Sequence, residues 1–124
     1  MLNDRRMLLA KKISYKGIGR VRIGAVLVSG KGIVNVGFNN TLKTHPIISK
    51  NCHKKLHAEV DCIIGIHRRC LRNGVMYLYR ERLDGKIGMC RPCSSCEAIL
   101  KSAGIKKVYY TNPNIAGYVG EMKL

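Results

Sequence analysis

Residues 57–71 read HAEVDCIIGIHRRCL, and their interpretation decides the fold. Val60, Cys62, Ile63, Ile64 and Ile66 leave almost no polar face, so the spacing predicts a helix buried on nearly every side. Its expected end lies near Leu71, with Arg68, Arg69 and Arg72 set against the helix C-terminus and Gly74 just beyond. Downstream, residues 75–79 read as a strand and residues 80–91 as a loop with a turn at Asp84-Gly85. A second buried helix is expected over 93–103, where Cys96, Ile99, Leu100 and Ala103 recur at helical spacing and Gly104 stops it. Residues 107–111 form a further strand.

Upstream, residues 21–29 (VRIGAVLVS) make a strand with apolar residues on both faces towards its end, as inside a covered sheet. Gly30-Lys31-Gly32 permits a tight reversal into an antiparallel partner over 33–38. Residues 39–56 carry little periodicity and a proline at 46; they read as a long loop, of the kind that is often functional in a compact domain. Residues 3–16 read as a helix capped by Asn3 or Asp4, with Leu8, Leu9 and Ile13 as its packed stripe. The order is α-β-β-α-β-α-β, with residues 112–124 left unassigned as too short for a further strand and helix. Helices alternating with the later strands imply an α/β sheet covered on both faces. At 124 residues the expectation is a single domain over 1–124.

Composition narrows the chemistry. Twenty-three Lys and Arg against seven Asp and Glu give a formal charge of +16, a field that attracts phosphorylated small molecules or polyanions such as nucleic acid. No apolar run approaches the roughly 18 residues of a membrane span. Met7-Leu8-Leu9-Ala10 is too short for a secretory core, so a cytoplasmic protein is expected. Six cysteines in such a reducing compartment serve as metal ligands or as packing.

Two separated clusters then stand out: His57-Ala58-Glu59 and Pro92-Cys93-Ser94-Ser95-Cys96. Cys93 and Cys96 sit three apart in the first turn of the second helix, so both sulfurs project from one face. The positive helix end favours their thiolates, and Pro92 suits a helix start. With His57 they make a three-ligand set for Zn2+, which leaves a fourth position for water, as catalytic zinc sites do. Zinc at such a site brings the pKa of bound water from about 15.7 to about 7. Glu59, two residues past the histidine, is left off the metal and free to move protons. Cys90 competes for the metal, because Cys90 and Cys93 repeat the same spacing, but Pro92 and the helix phase of Cys96 favour the 93/96 pair. Cys62 and Cys70 read as packing, and Tyr77, Tyr79, Tyr109 and Tyr110 as core or edge residues of strands.

The two clusters carry a resemblance to the cytidine/deoxycytidylate deaminase superfamily, whose H-A-E and P-C-x-x-C signatures they match. The likeness runs from about Val21 to Thr111 and includes the GAVLV strand and Gly37-Phe38-Asn39-Asn40-Thr41. It implies a three-layer α/β/α fold with a mixed central sheet, a pyrimidine nucleotide substrate, and a homo-oligomer. It also implies substrate contacts from Asn39, Thr41 and Ala58, and zinc ligation near the long loop by Cys52 and His53. His57 in place of cysteine differs from the C-A-E of free-nucleoside cytidine deaminases. Arg91-Pro92 replaces both the Glu-Pro-Cys of tRNA adenosine deaminases and the Ser-Trp-Ser-Pro-Cys of polynucleotide cytidine deaminases. The reading is therefore a zinc-dependent hydrolytic deaminase of a deoxycytidylate-like nucleotide. Its alternatives are a deaminase of single-stranded nucleic acid or tRNA, and a non-catalytic zinc-stabilised nucleic-acid-binding module.

Overall fold

The computed structural model of the chain describes residues 2–30, 32–40 and 57–124. Its elements are α1 (Arg5–Ser14), β1 (Arg22–Ser29), β2 (Gly32–Phe38), α2 (Ala58–Ile63), α3 (Arg68–Leu71), β3 (Val75–Glu81), α4 (Ser94–Ser102), β4 (Lys107–Thr111) and β5 (Val119–Lys123). The strands form one mixed sheet in the order β2-β1-β3-β4-β5. Among the described strands only β3 and β4 run parallel, and the connection between them carries α4, as a parallel crossover requires.

Side chains alternate across the sheet and build a core on each face. Val26, Tyr77 and Tyr79 face one way and pack on Met7 and Ala10 of α1. Ala25, Leu27, Leu78 and Val108 face the other way, with Ala58 and Cys62 of α2 and Leu100 of α4. The sheet thus has helices on both faces, the three-layer α/β/α arrangement. Two glycines set how closely these layers approach. A Cβ at Gly24 would collide with the carbonyl of Ala10 and the amide of Ser14, and one at Gly37 would lie 2.6 Å from the Cys62 amide. Helix backbones rest directly on the sheet at these points.

Three local expectations are corrected. The helix expected over 57–71 is two short helices. Ile64 is extended, Gly65 takes a left-handed φ of 78°, and the His67 ring accepts from the Arg69 amide at 3.1 Å to start α3. An apolar run with no polar face hides such a break, because the periodicity is the same on either side of it. Arg68 and Arg69 consequently sit at the start of a four-residue helix rather than at the end of a long one, and Cys70 is exposed. On α1, Met7, Ala10 and Ile13 are the buried stripe, while Leu8 is 48% exposed. Residues 112–124 supply a fifth strand: β5 pairs antiparallel with β4, Lys107 opposite Lys123 and Thr111 opposite Val119. The remaining strands and the helix over 94–102 lie where their patterns put them. No helix among the described residues is long and apolar enough to cross a membrane.

Candidate active site

His57 and Cys93 occupy equivalent places, each the extended residue immediately before a helix on the same face of the sheet. α2 and α4 meet through Val60 and Cys96, with Ile64 and Ile99 alongside, and that packing brings the two helix starts together. The Cys93 sulfur accepts from the Cys96 amide at 3.5 Å, holding both thiols on the first turn of α4. His57 Nδ1 lies 3.1 Å from Cys96 Sγ, and the three donor atoms of His57, Cys93 and Cys96 all fall within 4.8 Å of one another.

These donors fit zinc. Zn–N bonds of about 2.0 Å and Zn–S bonds of about 2.3 Å in a tetrahedron place ligand atoms about 3.5–3.8 Å apart. Two thiols and an imidazole are also the soft and borderline donors that zinc prefers. Cys96 is buried while His57 and Cys93 are half-buried, so the cluster is closed behind and open in front.

In front of it is a cavity of about 570 Å³, within the size range of small-molecule sites. His57, Cys93 and Glu59 line it together with Ala58, Asn39 and Arg91. Glu59 is only 5% exposed. Burial pushes its carboxyl pKa up, and hydrogen bonds from its own backbone and from the Cys96 thiol pull it part of the way back. A buried carboxyl touching the metal cluster yet lying outside it is a group able to hold a proton or release it. A larger, shallower groove of about 840 Å³ lies beyond α2 and α4, among Ile64, Ile66, Ala98 and Ile99. It contains none of the three donors and not the acid, so chemistry rather than size selects the smaller cavity.

Asn39 reaches the cavity, but its amide is engaged by backbone. Oδ1 accepts from the Ile23 amide at 2.8 Å, and Nδ2 donates to the Val21 carbonyl. It pins the start of β1 against the end of β2. Ala58 is fully buried on the cavity wall. Thr41, Cys52 and His53 lie outside the described residues.

Cys90 is resolved away from the metal cluster. Its sulfur lies 3.1 Å from Thr111 Oγ1, and burial pushes its thiol up to about 12. Thr111 Oγ1 also donates to the Gly88 carbonyl at 2.8 Å and accepts from the Arg80 amide at 3.1 Å. This latch ties the segment before Pro92 to the end of β4, beside the cavity. Sequence reading missed Thr111, and it missed Arg20, Met89 and Arg91 as lining residues. Nearness in sequence to β1 for Arg20, and to Pro92-Cys93 for Met89 and Arg91, is the signal that could have pointed to the lining residues; Thr111 carries none. Tyr77 and Tyr109 stack on each other at 5.2 Å on the α1 face, and so serve as packing.

The comparisons agree with this geometry. Residues 3–112 match the family described as the cytidine and deoxycytidylate deaminase zinc-binding region. No curated protein matches the chain. Among solved structures, a cytidine deaminase from Burkholderia pseudomallei is similar with a TM-score of 0.69 and 21% identity, over 99% of this chain and 93% of that one. The apo dCMP deaminase of cyanophage S-TIM5 gives 0.61 and 24%, over 86% and 79%. A diaminohydroxyphosphoribosylaminopyrimidine deaminase/5-amino-6-(5-phosphoribosylamino)uracil reductase from Thermotoga maritima gives 0.56 and 26%, over 88% of this chain and 29% of that one.

Proposed function

Because this chain belongs to the cytidine and deoxycytidylate deaminase family, and is a zinc-dependent deaminase, we propose that it converts the cytosine of a deoxycytidylate-like nucleotide to uracil with release of ammonia. His57, Cys93 and Cys96 are the zinc ligands in this reading and Glu59 the proton carrier. The observation that carries it is the approach of His57 Nδ1 to Cys96 Sγ at 3.1 Å with a buried acid against the same thiol.

Zinc, when bound, supplies the Lewis acidity that makes water a competent nucleophile near neutral pH. As water adds to C4 of the base, Glu59 takes its proton and passes it to N3. Glu59 then takes the remaining proton of the added hydroxyl and delivers it to the exocyclic nitrogen; the C4–O carbonyl forms as the C4–N bond breaks, and ammonia leaves. Burial raises the Glu59 pKa, so its carboxyl holds a proton more readily than an exposed one would, which suits a group that must take a proton and then give it up. Ala58 and Val21 supply apolar wall for a planar base.

A phosphorylated substrate is supported by the chain's +16 charge. It is supported also by two similar proteins whose names specify dCMP and a phosphoribosylamino pyrimidine. The same charge favours one second reading, in which a single strand presents the base.

The test is incubation of the zinc-loaded protein with cytosine nucleosides, nucleotides and oligonucleotides, following ammonia. Release from a cytosine mononucleotide is expected. Silence across the whole panel would sink the proposal. A strand substrate would announce itself by a steep loss of affinity with salt, since many phosphate contacts release many counterions.

A further inference from the structure

Three cavities of the described surface meet at Arg20. It lines the catalytic cavity, a neighbouring depression of about 400 Å³ beside Arg80 and Arg82, and a third of about 190 Å³ that reaches Tyr15 and Arg22. The catalytic cavity holds a second guanidinium, that of Arg91. Carboxylates in the outer depressions are already engaged. The Tyr15 hydroxyl donates to Glu81 Oε2 at 2.8 Å, and Arg82 pairs with Asp84 at 3.2 Å. Among the described residues, neither Arg20 nor Arg91 has a carboxylate within ion-pair distance. Arg91 is instead braced on Tyr110, its Nη1 3.5 Å from the hydroxyl and its guanidinium 6.0 Å from the ring centroid.

Two guanidinium groups without acidic partners line the same cavity as the Glu59 carboxyl and are free to take an anion. We propose that Arg20 and Arg91 are the specificity-determining pair of this site. They grip a phosphate on the substrate's sugar, so that the phosphorylated form is chosen over the bare nucleoside. The planar fork of arginine matches two phosphate oxygens at once. Arg91 loses little freedom on binding because Tyr110 already orients it. Arg20 also lines the small depression that contains Arg22, so further positive charge lies next to it. This inference rests on reading the cavity as the site of a cytosine deaminase.

The experiment compares kcat/KM for deoxycytidine, deoxycytidine monophosphate and a cytosine oligonucleotide, in wild type and in Arg20→Ala, Arg20→Lys and Arg91→Ala. The wild type should favour a phosphorylated form over the nucleoside by at least tenfold. Arg20→Ala should cut that ratio at least tenfold, with partial rescue in Arg20→Lys, and Arg91→Ala should act in the same sense. Lys101→Ala removes the same charge from the last turn of α4; it should leave the ratio within twofold, separating local recognition from overall charge. The monophosphate and oligonucleotide arms identify which phosphate source is gripped. Equal kcat/KM for nucleoside and phosphorylated forms, or a ratio unmoved by Arg20→Ala, overturns the inference while the deaminase reading stands. If no cytosine compound turns over, the deaminase reading fails. The pair is then tested by calorimetric titration with inorganic phosphate, where equal affinity of wild type and Arg20→Ala overturns it.

Discussion

α1 on one face of the sheet and α2 with α4 on the other are all short helices resting on the same strands, yet among the described residues only the α2/α4 face gathers a set of metal-ligating side chains. The difference lies in how the helices begin. α1 starts with a strong cap: Asp4 accepts from the Arg6 amide at 2.8 Å and pairs with its guanidinium at 2.9 Å. α2 starts at His57, which makes no capping hydrogen bond, and α4 at Cys93, whose sulfur is a weak acceptor 3.5 Å from the Cys96 amide. Those two cap positions are poor for helix stability and well placed for a metal. The lesson is that capping has been given up where the two helix starts converge and retained where nothing else is asked of the residue.

The contrast can be broken first at the sulfurs. Cys96→Ala should reduce bound zinc from about one per chain to near zero, whereas Cys90→Ala, which removes an equally buried thiol outside the cluster, should leave it near one. Metal analysis of the purified variants decides it. Equal zinc loss in both would place the metal elsewhere.

A smaller separation is expected in thiol reactivity. Burial pushes Cys62 and Cys90 up to about 12, so both stay protonated and shielded, while Cys70 is exposed. Of these three, an alkylating reagent near pH 8 should label Cys70 first, and Cys62 and Cys90 only after denaturation. Mass mapping of the labelled peptides reads the order, and early labelling of Cys62 would contradict the packing described for α2.

The smallest effect belongs to the cap of α1. Asp4→Ala should cost about 1 kcal/mol of stability at neutral pH, seen as a lower unfolding midpoint, and leave zinc content untouched. Its pH dependence has a definite sign. The Arg6 hydrogen bonds lower the Asp4 pKa from 3.8 to about 2, so its contribution is complete above about pH 4 and lost as pH falls towards 2. Wild type and variant should therefore converge in stability in acid. A constant gap down to pH 2 would show that the cap does not act through its ionised form.

Much of the site was legible because it depends on residue type at short spacing. His57, Glu59, Cys93 and Cys96 announce a metal and an acid whatever the surrounding turns do. The order of the first four strands was legible too, from alternation and from turn residues such as Gly30. What escaped depends on partners distant in sequence. β5 is five residues with a glycine at 120, and it is a strand because β4 offers it an edge. The break at Ile64–Gly65 is invisible in a run that is apolar on every side. Arg20 and Arg91 sit 71 positions apart in loops, and only the folded chain brings them to one cavity. Asn39 shows the opposite case: its motif was plain, but its amide is engaged by the backbone of Val21 and Ile23.

The central claim is that one acid beside the cluster moves protons without holding the metal, and paired zinc and turnover measurements on Glu59→Ala test it most directly. Zinc is expected to stay at about one per chain while ammonia release from deoxycytidine monophosphate falls by about 10²–10⁴-fold or more. Turnover close to wild type, or loss of zinc in parallel with activity, would contradict it.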